Sequence, residues 1–195
     1  MKVGVLFSGG KDSALAALLL APHYEVELNT FSFDQNRDLG AVEAAAAVLG
    51  LPWWHRLLPD GLLETALDRL VADGYPGGAI NLVHRAALKA LAGSYRVVAD
   101  GTRFDDRVPM LDPGEARSLM DRFGCSYLRP LLGFPRAEVD RLADRHLVVE
   151  RGETGRMPNG DYEDELRAGL RRRGIDPAPL FPPVHEQTLV RGRMG

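Results

Sequence analysis

Apolar positions along the chain follow two rhythms, short runs of strand character and longer stretches of helical period, and the two take turns. Residues 2–7 (KVGVLF) form a compact apolar run ending in glycines, and residues 14–20 follow as an Ala/Leu stretch of strong helix formers. Residues 24–33 (YEVELNTFSF) alternate in period two, with Val26, Leu28, Thr30 and Ser32 on one face, before a helical stretch over 38–49 that stops at Gly50. Residues 52–58 predict a third strand. Pro59 and Asp60 then open a helix with Leu62, Leu63, Ala66, Leu67, Leu70 and Val71 on its apolar side. Past a break at 75–78, residues 79–92 predict a helix and residues 95–99 (YRVVA) a buried strand. Asp112-Pro113-Gly114-Glu115 reads as a capping box for a helix over 115–123. A fifth strand at 125–128 and a helix from Pro135 toward His146 complete the series.

Strands alternating with helices imply a parallel sheet, because right-handed crossovers lay the helices on its two faces. The pattern predicts an α/β, doubly wound domain with a five-stranded parallel sheet over residues 1–146. Residues 147–195 differ: 151–160 has turn residues and no apolar period, Asp161 caps a charged helix ending at Gly174, and 175–183 carries four prolines. This segment predicts a short C-terminal appendage packed on the domain or on a partner. Trp53 and Trp54, just ahead of a strongly amphipathic helix, are expected in the core.

With 195 residues, 45% apolar and 26% charged, the chain can bury one core without a disulfide or structural metal. Its one cysteine, Cys125, excludes an internal disulfide, a four-thiolate zinc site and a cysteine-ligated iron-sulfur cluster. The net charge of −3 makes no strong electrostatic case for nucleic acid. No apolar run approaches the roughly 18 residues of a membrane span, and the first residues lack the pattern of a secretory signal. A cytoplasmic setting without membrane contact is expected.

The chemistry concentrates in Ser8-Gly9-Gly10-Lys11-Asp12-Ser13, between the first strand and the first helix. There backbone N–H groups and the positive end of the helix dipole converge on an anion. Glycines allow close approach, the hydroxyls of Ser8 and Ser13 add donors, and Lys11 adds charge. Asp12 would repel a phosphate unless a divalent cation lay between them, which argues for Mg²⁺. A Walker loop is excluded, since Val5 stands where it needs glycine and Asp12 where it needs Ser or Thr.

Ser8, Gly9, Gly10, Asp12 and Ser13 resemble the N-terminal mark of the PP-loop ATP pyrophosphatase superfamily, Ser-Gly-Gly-x-Asp-Ser. Two further segments are similar to that family's: residues 100–106 (DGTRFDD) and Arg129-Pro130-Leu131-Leu132 with Arg136 and Glu138. The whole is also similar to a group of stand-alone, archaeal-type PP-loop proteins of unknown substrate. The resemblance implies an adenine nucleotide alpha hydrolase-like fold and ATP cleaved between its α and β phosphates to adenylate a substrate oxygen, in ligase or tRNA-modification chemistry. It implies pyrophosphate on Ser8, Gly10, Lys11 and Ser13, Mg²⁺ on Asp12, adenine against Phe31, Ser32 and Phe33, and ribose or α-phosphate near Gly101 and Thr102. The alternative is a nucleotide-binding regulatory subunit without chemistry of its own.

Asp106 is a second candidate for Mg²⁺, with Asp105 and Asp100 beside it, and the competing reading is a surface turn pairing with Arg103 and Arg107. Arg103, Arg107 and Arg129 are candidates to stabilise charge on the α-phosphate. Arg85 and Lys89 share a helix face, and His84 and Cys125 read as structural. The Arg171-Arg172-Arg173 run is open between RNA contact and an alternating charged helix, given Glu163, Asp164 and Glu165 upstream. Candidate partners are the nucleotide, a transfer RNA or other acceptor, and a second copy of the chain. His185 is a candidate acid or base folding back over the site.

Overall fold

The computed structural model describes residues 1–153, 157–182 and 186–194. In chain order the elements are β1 (Lys2–Leu6), α1 (Lys11–Leu20), β2 (Glu25–Ser32), α2 (Gly40–Leu49), β3 (Trp53–Leu57), α3 (Leu62–Asp73), α4 (Gly77–Ala92), β4 (Val97–Ala99), α5 (Pro113–Phe123), β5 (Ser126–Leu128), α6 (Arg136–His146), β6 (Leu147–Glu153), α7 (Glu163–Arg172) and β7 (Glu186–Arg193). The first five strands form one parallel sheet in the order β3-β2-β1-β4-β5. The expected doubly wound α/β fold with helices on both faces is thus present.

Each face has its own core. Ala14, Ala17 and Leu20 of α1 pack with Val42, Ala45 and Leu49 of α2 against one side of β1 and β2. Leu67 and Leu70 of α3, Val83, Leu88 and Leu91 of α4, and Leu119 of α5 cover the other. Val3, Val5 and Leu28 are wholly buried, as central parallel strands must be when both faces carry helices. At α5 the capping box forms as read: Asp112 Oδ1 accepts from Glu115 N–H at 2.8 Å and Glu115 Oε2 from Asp112 N–H at 3.0 Å.

Two expectations need correction. Trp54 is 53% exposed and Trp53 only partly covered, because β3 is the edge of the sheet; Trp53 Nε1 donates to Thr30 Oγ1 at 2.8 Å. The second concerns residues 147–153 and 186–193, within the segment expected only as an appendage, where no strand is predicted. They pair antiparallel as β6 and β7, an additional two-stranded ribbon with an irregularity between Val148 and Val149. A ribbon covered on one side needs few apolar residues, so its pattern is weak.

The ribbon and α7 contribute to both cores. Leu147, Met157, Leu189 and Val190 join the α1/α2 side, and Leu166, Leu170 and Phe181 join the α3/α4 side. Arg173 of the arginine run bridges to α3, with Nη1 2.7 Å from Asp68 and a second contact to Glu64. Leu166→Ala is expected to destabilise the whole protein by about 2–5 kcal/mol in urea denaturation, as for any large core truncation. A loss below about 1 kcal/mol would mean that α7 is not part of the cooperative fold.

Candidate functional site

The order β3-β2-β1-β4-β5 reverses direction between β1 and β4, and at such a switch point the strand ends leave a crevice open to ligands. A cleft of about 630 Å³ lies there. The turn from β1 into α1 supplies Ser8, Gly10, Lys11, Asp12 and Ser13, β2 supplies Asn29 and Phe31, and the segment after β4 supplies Gly101, Thr102, Arg103, Asp105, Asp106 and Arg107.

Local bonds shape the turn. Gly9 has φ +82°, a conformation that side chains rarely adopt. Gly10 N–H donates to Ser8 Oγ at 3.3 Å, Ser8 N–H to Ser13 Oγ at 3.3 Å, and Ser13 Oγ to Gly10 O at 3.1 Å. The loop is therefore braced by the hydroxyls that the motif carries. Gly101 presses on the start of α1: a Cβ there would lie 2.7 Å from Asp12 C and Ser13 N. Only glycine fits.

Beneath Gly101, buried Asp100 accepts from His84 Nε2 at 2.8 Å, Tyr127 OH at 2.6 Å, Thr102 N–H at 3.0 Å and Thr102 Oγ1 at 2.7 Å. Burial alone would raise its pKa, but these donors outweigh burial and hold it below the usual carboxylate value. Burial drives the Tyr127 hydroxyl strongly upward, with Asp100 adding to it, so Tyr127 stays a donor. Asp100 thereby fixes the bend that carries Thr102 and Arg103 into the cleft.

Charges at the cleft are interlocked. Arg103 reaches Asp106 at 2.5 Å, Asp12 at 3.2 Å and Asp105 at 3.5 Å. Burial opposes its charge, yet the three carboxylates prevail and raise its pKa. Its Nε is buried without a hydrogen-bond partner. Asp106 is shifted upward, since burial outweighs its bonds to Arg103. Lys11, only 3% exposed, sits between Asp12 Oδ1 at 2.6 Å and Asp140 Oδ1 of α6 at 3.2 Å. Among the described residues no three or more His, Cys, Asp or Glu side chains gather into a metal cage.

Several candidates lie elsewhere. Gly9 backs the loop behind the cleft lining, touching Leu189 and Val42. Ser32 is buried, its hydroxyl 2.6 Å from His55 Nε2, and Phe33 N–H is held by Glu165 Oε1 at 2.8 Å; neither lines the cleft. Arg129 also falls outside it, stacked over Tyr127 and donating to Leu111 O at 3.0 Å. Arg85 pairs with Glu115 at 2.6 Å and shares with Lys89 a separate hollow of about 440 Å³ between α4 and α5. Cys125 is buried. His185 lies outside the described residues.

The sequence reading missed the far wall. Asn159, Gly160, Asp161, Tyr162, Glu163, Gln187 and Thr188 all face the cleft. Gly160 N–H donates to Ser8 O at 2.7 Å, and Val190 N–H to Gly9 O at 2.9 Å. The hint in the sequence was His185, expected to fold back over the site just ahead of Gln187 and Thr188.

The model of a family of unknown function, DUF7411, matches residues 1–192. The chain belongs to the DUF7411 family. An uncharacterized protein of Methanocaldococcus jannaschii is 40% identical to this DUF7411 chain over 193 residues, 98% of this chain and 96% of the relative. A crystal structure described as a predicted subunit of tRNA methyltransferase from the same organism matches it with a TM-score of 0.91 at 39% identity, covering 100% of this chain and 98% of the other. An NH3-dependent NAD synthetase from Campylobacter jejuni matches with a TM-score of 0.50 at 18% identity, over 73% of this chain and 62% of that one. This last likeness is one of fold. No helix among the described residues of the DUF7411 protein is long and apolar enough to cross a membrane.

Asp161 carries a pH signature. Burial raises its carboxyl from the usual 3.8 to about 6, helped by Asp164 and Glu163. A carboxyl with a raised folded-state pKa costs stability when ionised, so the cost is absent below pH 3.8, grows through about 6 and is complete above it. Asp161→Asn is expected to stabilise the protein at pH 7.5 by on the order of 1–3 kcal/mol and hardly at all at pH 4. Gln187 can turn its amide to accept from the new Asn donor. Urea melts at the two pH values check this; an equal effect at both would refute it.

Proposed function

We propose that this DUF7411 protein binds ATP at the β1–α1 turn and cleaves it between the α and β phosphates, transferring AMP to a substrate oxygen and releasing pyrophosphate. The single observation that carries the reading is the Ser8–Ser13 turn itself. It is a rigid cradle at the N-terminus of α1, open to the switch-point cleft, with arginine and aspartate opposite it. The fold shared with an NAD synthetase supports it, as does the likeness of the loop to the PP-loop superfamily.

In this reading the amides at the start of α1 bind the pyrophosphate oxygens, while the hydroxyls of Ser8 and Ser13 brace the loop that presents them. Arg103, which lines the cleft beside Asp12, places its guanidinium charge near the α-phosphate, where charge builds as the bond to the leaving group breaks. Phe31 gives the adenine an apolar wall, and Gly101 and Thr102 meet the ribose side. Lys11 tempers the phosphate charge from behind the loop, anchored by Asp140. Asp12 and Asp106 fit Mg²⁺, which takes one or two carboxylates and completes its shell with phosphate and water. Both already pair with one cation, Arg103, Asp12 from the β1–α1 turn and Asp106 from Arg103's own segment. When bound, the ion would neutralise phosphate charge.

A second reading, a nucleotide-binding subunit that acts only with a partner, is supported by the relative described as a predicted subunit of tRNA methyltransferase. ATP labelled at the α and γ positions separates the two. AMP plus pyrophosphate, stimulated by the acceptor among small carboxylates and bulk tRNA, is expected for the enzyme; tight binding without turnover favours the subunit. Asp12→Asn is expected to lower pyrophosphate release by roughly 100-fold while the thermal melt stays close to wild type. Full activity in that variant would remove Asp12 from the mechanism.

A further inference from the structure

β7 runs over the first turn of α1. Leu189 is buried, with a Cβ built on Gly9 lying 3.0 Å from it; Val190 N–H holds Gly9 O, and Thr188, the residue before Leu189, sets its hydroxyl against the loop. Thr188 Oγ1 accepts Lys11 N–H at 3.1 Å, and a Cβ built on Gly10 would lie 3.2 Å from that oxygen. Thr188 therefore stands beside the anion cradle and lines the same cleft as Ser8, Gly10 and Ser13.

A hydroxyl offers two lone pairs and one hydrogen. In the loop, Ser13 Oγ donates to Gly10 O and lies 3.4 Å from Ser8 Oγ, so the loop's hydroxyls are engaged with each other and with the loop backbone. The Lys11 bond uses only a lone pair of Thr188, and among the described residues no group accepts its hydrogen. An uncommitted donor, fixed in position by the bond it accepts, faces the place where anion oxygens would sit.

We propose that Thr188 is a pyrophosphate-binding residue, so that the C-terminal ribbon supplies part of a phosphate site whose recognisable motif is at the other end of the chain. The proposal rests on the nucleotide reading above and extends it beyond the loop. It also assigns a role to the ribbon. β6 and α6 hold β7 in register through Arg136, 2.8 Å from Glu186, and through the β6–β7 ladder, in which Thr188 is paired with Arg151.

The test is calorimetric titration of the full chain with inorganic pyrophosphate, ATP and AMP in the presence of Mg²⁺, for the wild type, Thr188→Val, Thr188→Ala and Thr188→Ser. A hydrogen bond to a charged group predicts that the Val and Ala variants bind pyrophosphate and ATP about tenfold or more weakly. AMP, which lacks the leaving pyrophosphate, is expected to bind each variant as it binds the wild type, and Thr188→Ser to keep near-normal affinity for all three. A merely structural role would lower AMP affinity in step with ATP, and that outcome overturns the proposal. So does unchanged pyrophosphate binding by both Val and Ala variants. If the wild type binds neither ATP nor pyrophosphate, the nucleotide reading falls and takes this assignment with it; wild-type binding with indifferent variants removes the assignment alone.

Discussion

The close approach of the Gly101 backbone to the first turn of α1 is the constraint on which the cleft depends. No side chain fits at that contact, and Asp100 just below it is tied by four hydrogen bonds from His84, Tyr127 and Thr102. The two together clamp the end of β4 to the start of α1. Arg103 and Asp106 are thereby delivered to Asp12, although more than ninety positions separate them in the chain. Loosening this clamp would separate Arg103 from Asp12 and open the pairing between the two ends of the cleft.

Charge balance at the cleft follows from that packing. Lys11 and Arg103 each serve more than one carboxylate, so neither cation is left bare in a partly desolvated place. Loss of any single carboxylate leaves each cation another partner, so no buried charge is stranded. The same arrangement holds the carboxylates and the guanidinium in mutual pairs at the mouth of the cleft.

Much of this was legible in the sequence where the signals were local. The βα alternation, the capping box at Asp112 and Glu115, and the loop at Ser8–Ser13 all rest on neighbours a few residues apart, and these formed as read. Long-range effects were not legible. Trp54 is exposed because β3 is an edge, a property of strand order rather than of local pattern. Arg129 turns to Tyr127 and Leu111 through tertiary packing that no spacing encodes. The β6–β7 ribbon lacked a strong period because it is covered on one side, and with it the wall from Asn159 to Thr188 was missed.

The two carbonyls that begin the β1–α1 turn are both taken from outside it, Ser8 O by Gly160 and Gly9 O by Val190. Turning either peptide unit over to present oxygen to the cleft would break such a bond and strand a polar group, at a cost of about 1–3 kcal/mol. The dipoles of this turn therefore have one orientation available to them. That orientation is enforced by distant segments of the polypeptide, not by the glycines, whose suppleness would otherwise permit either.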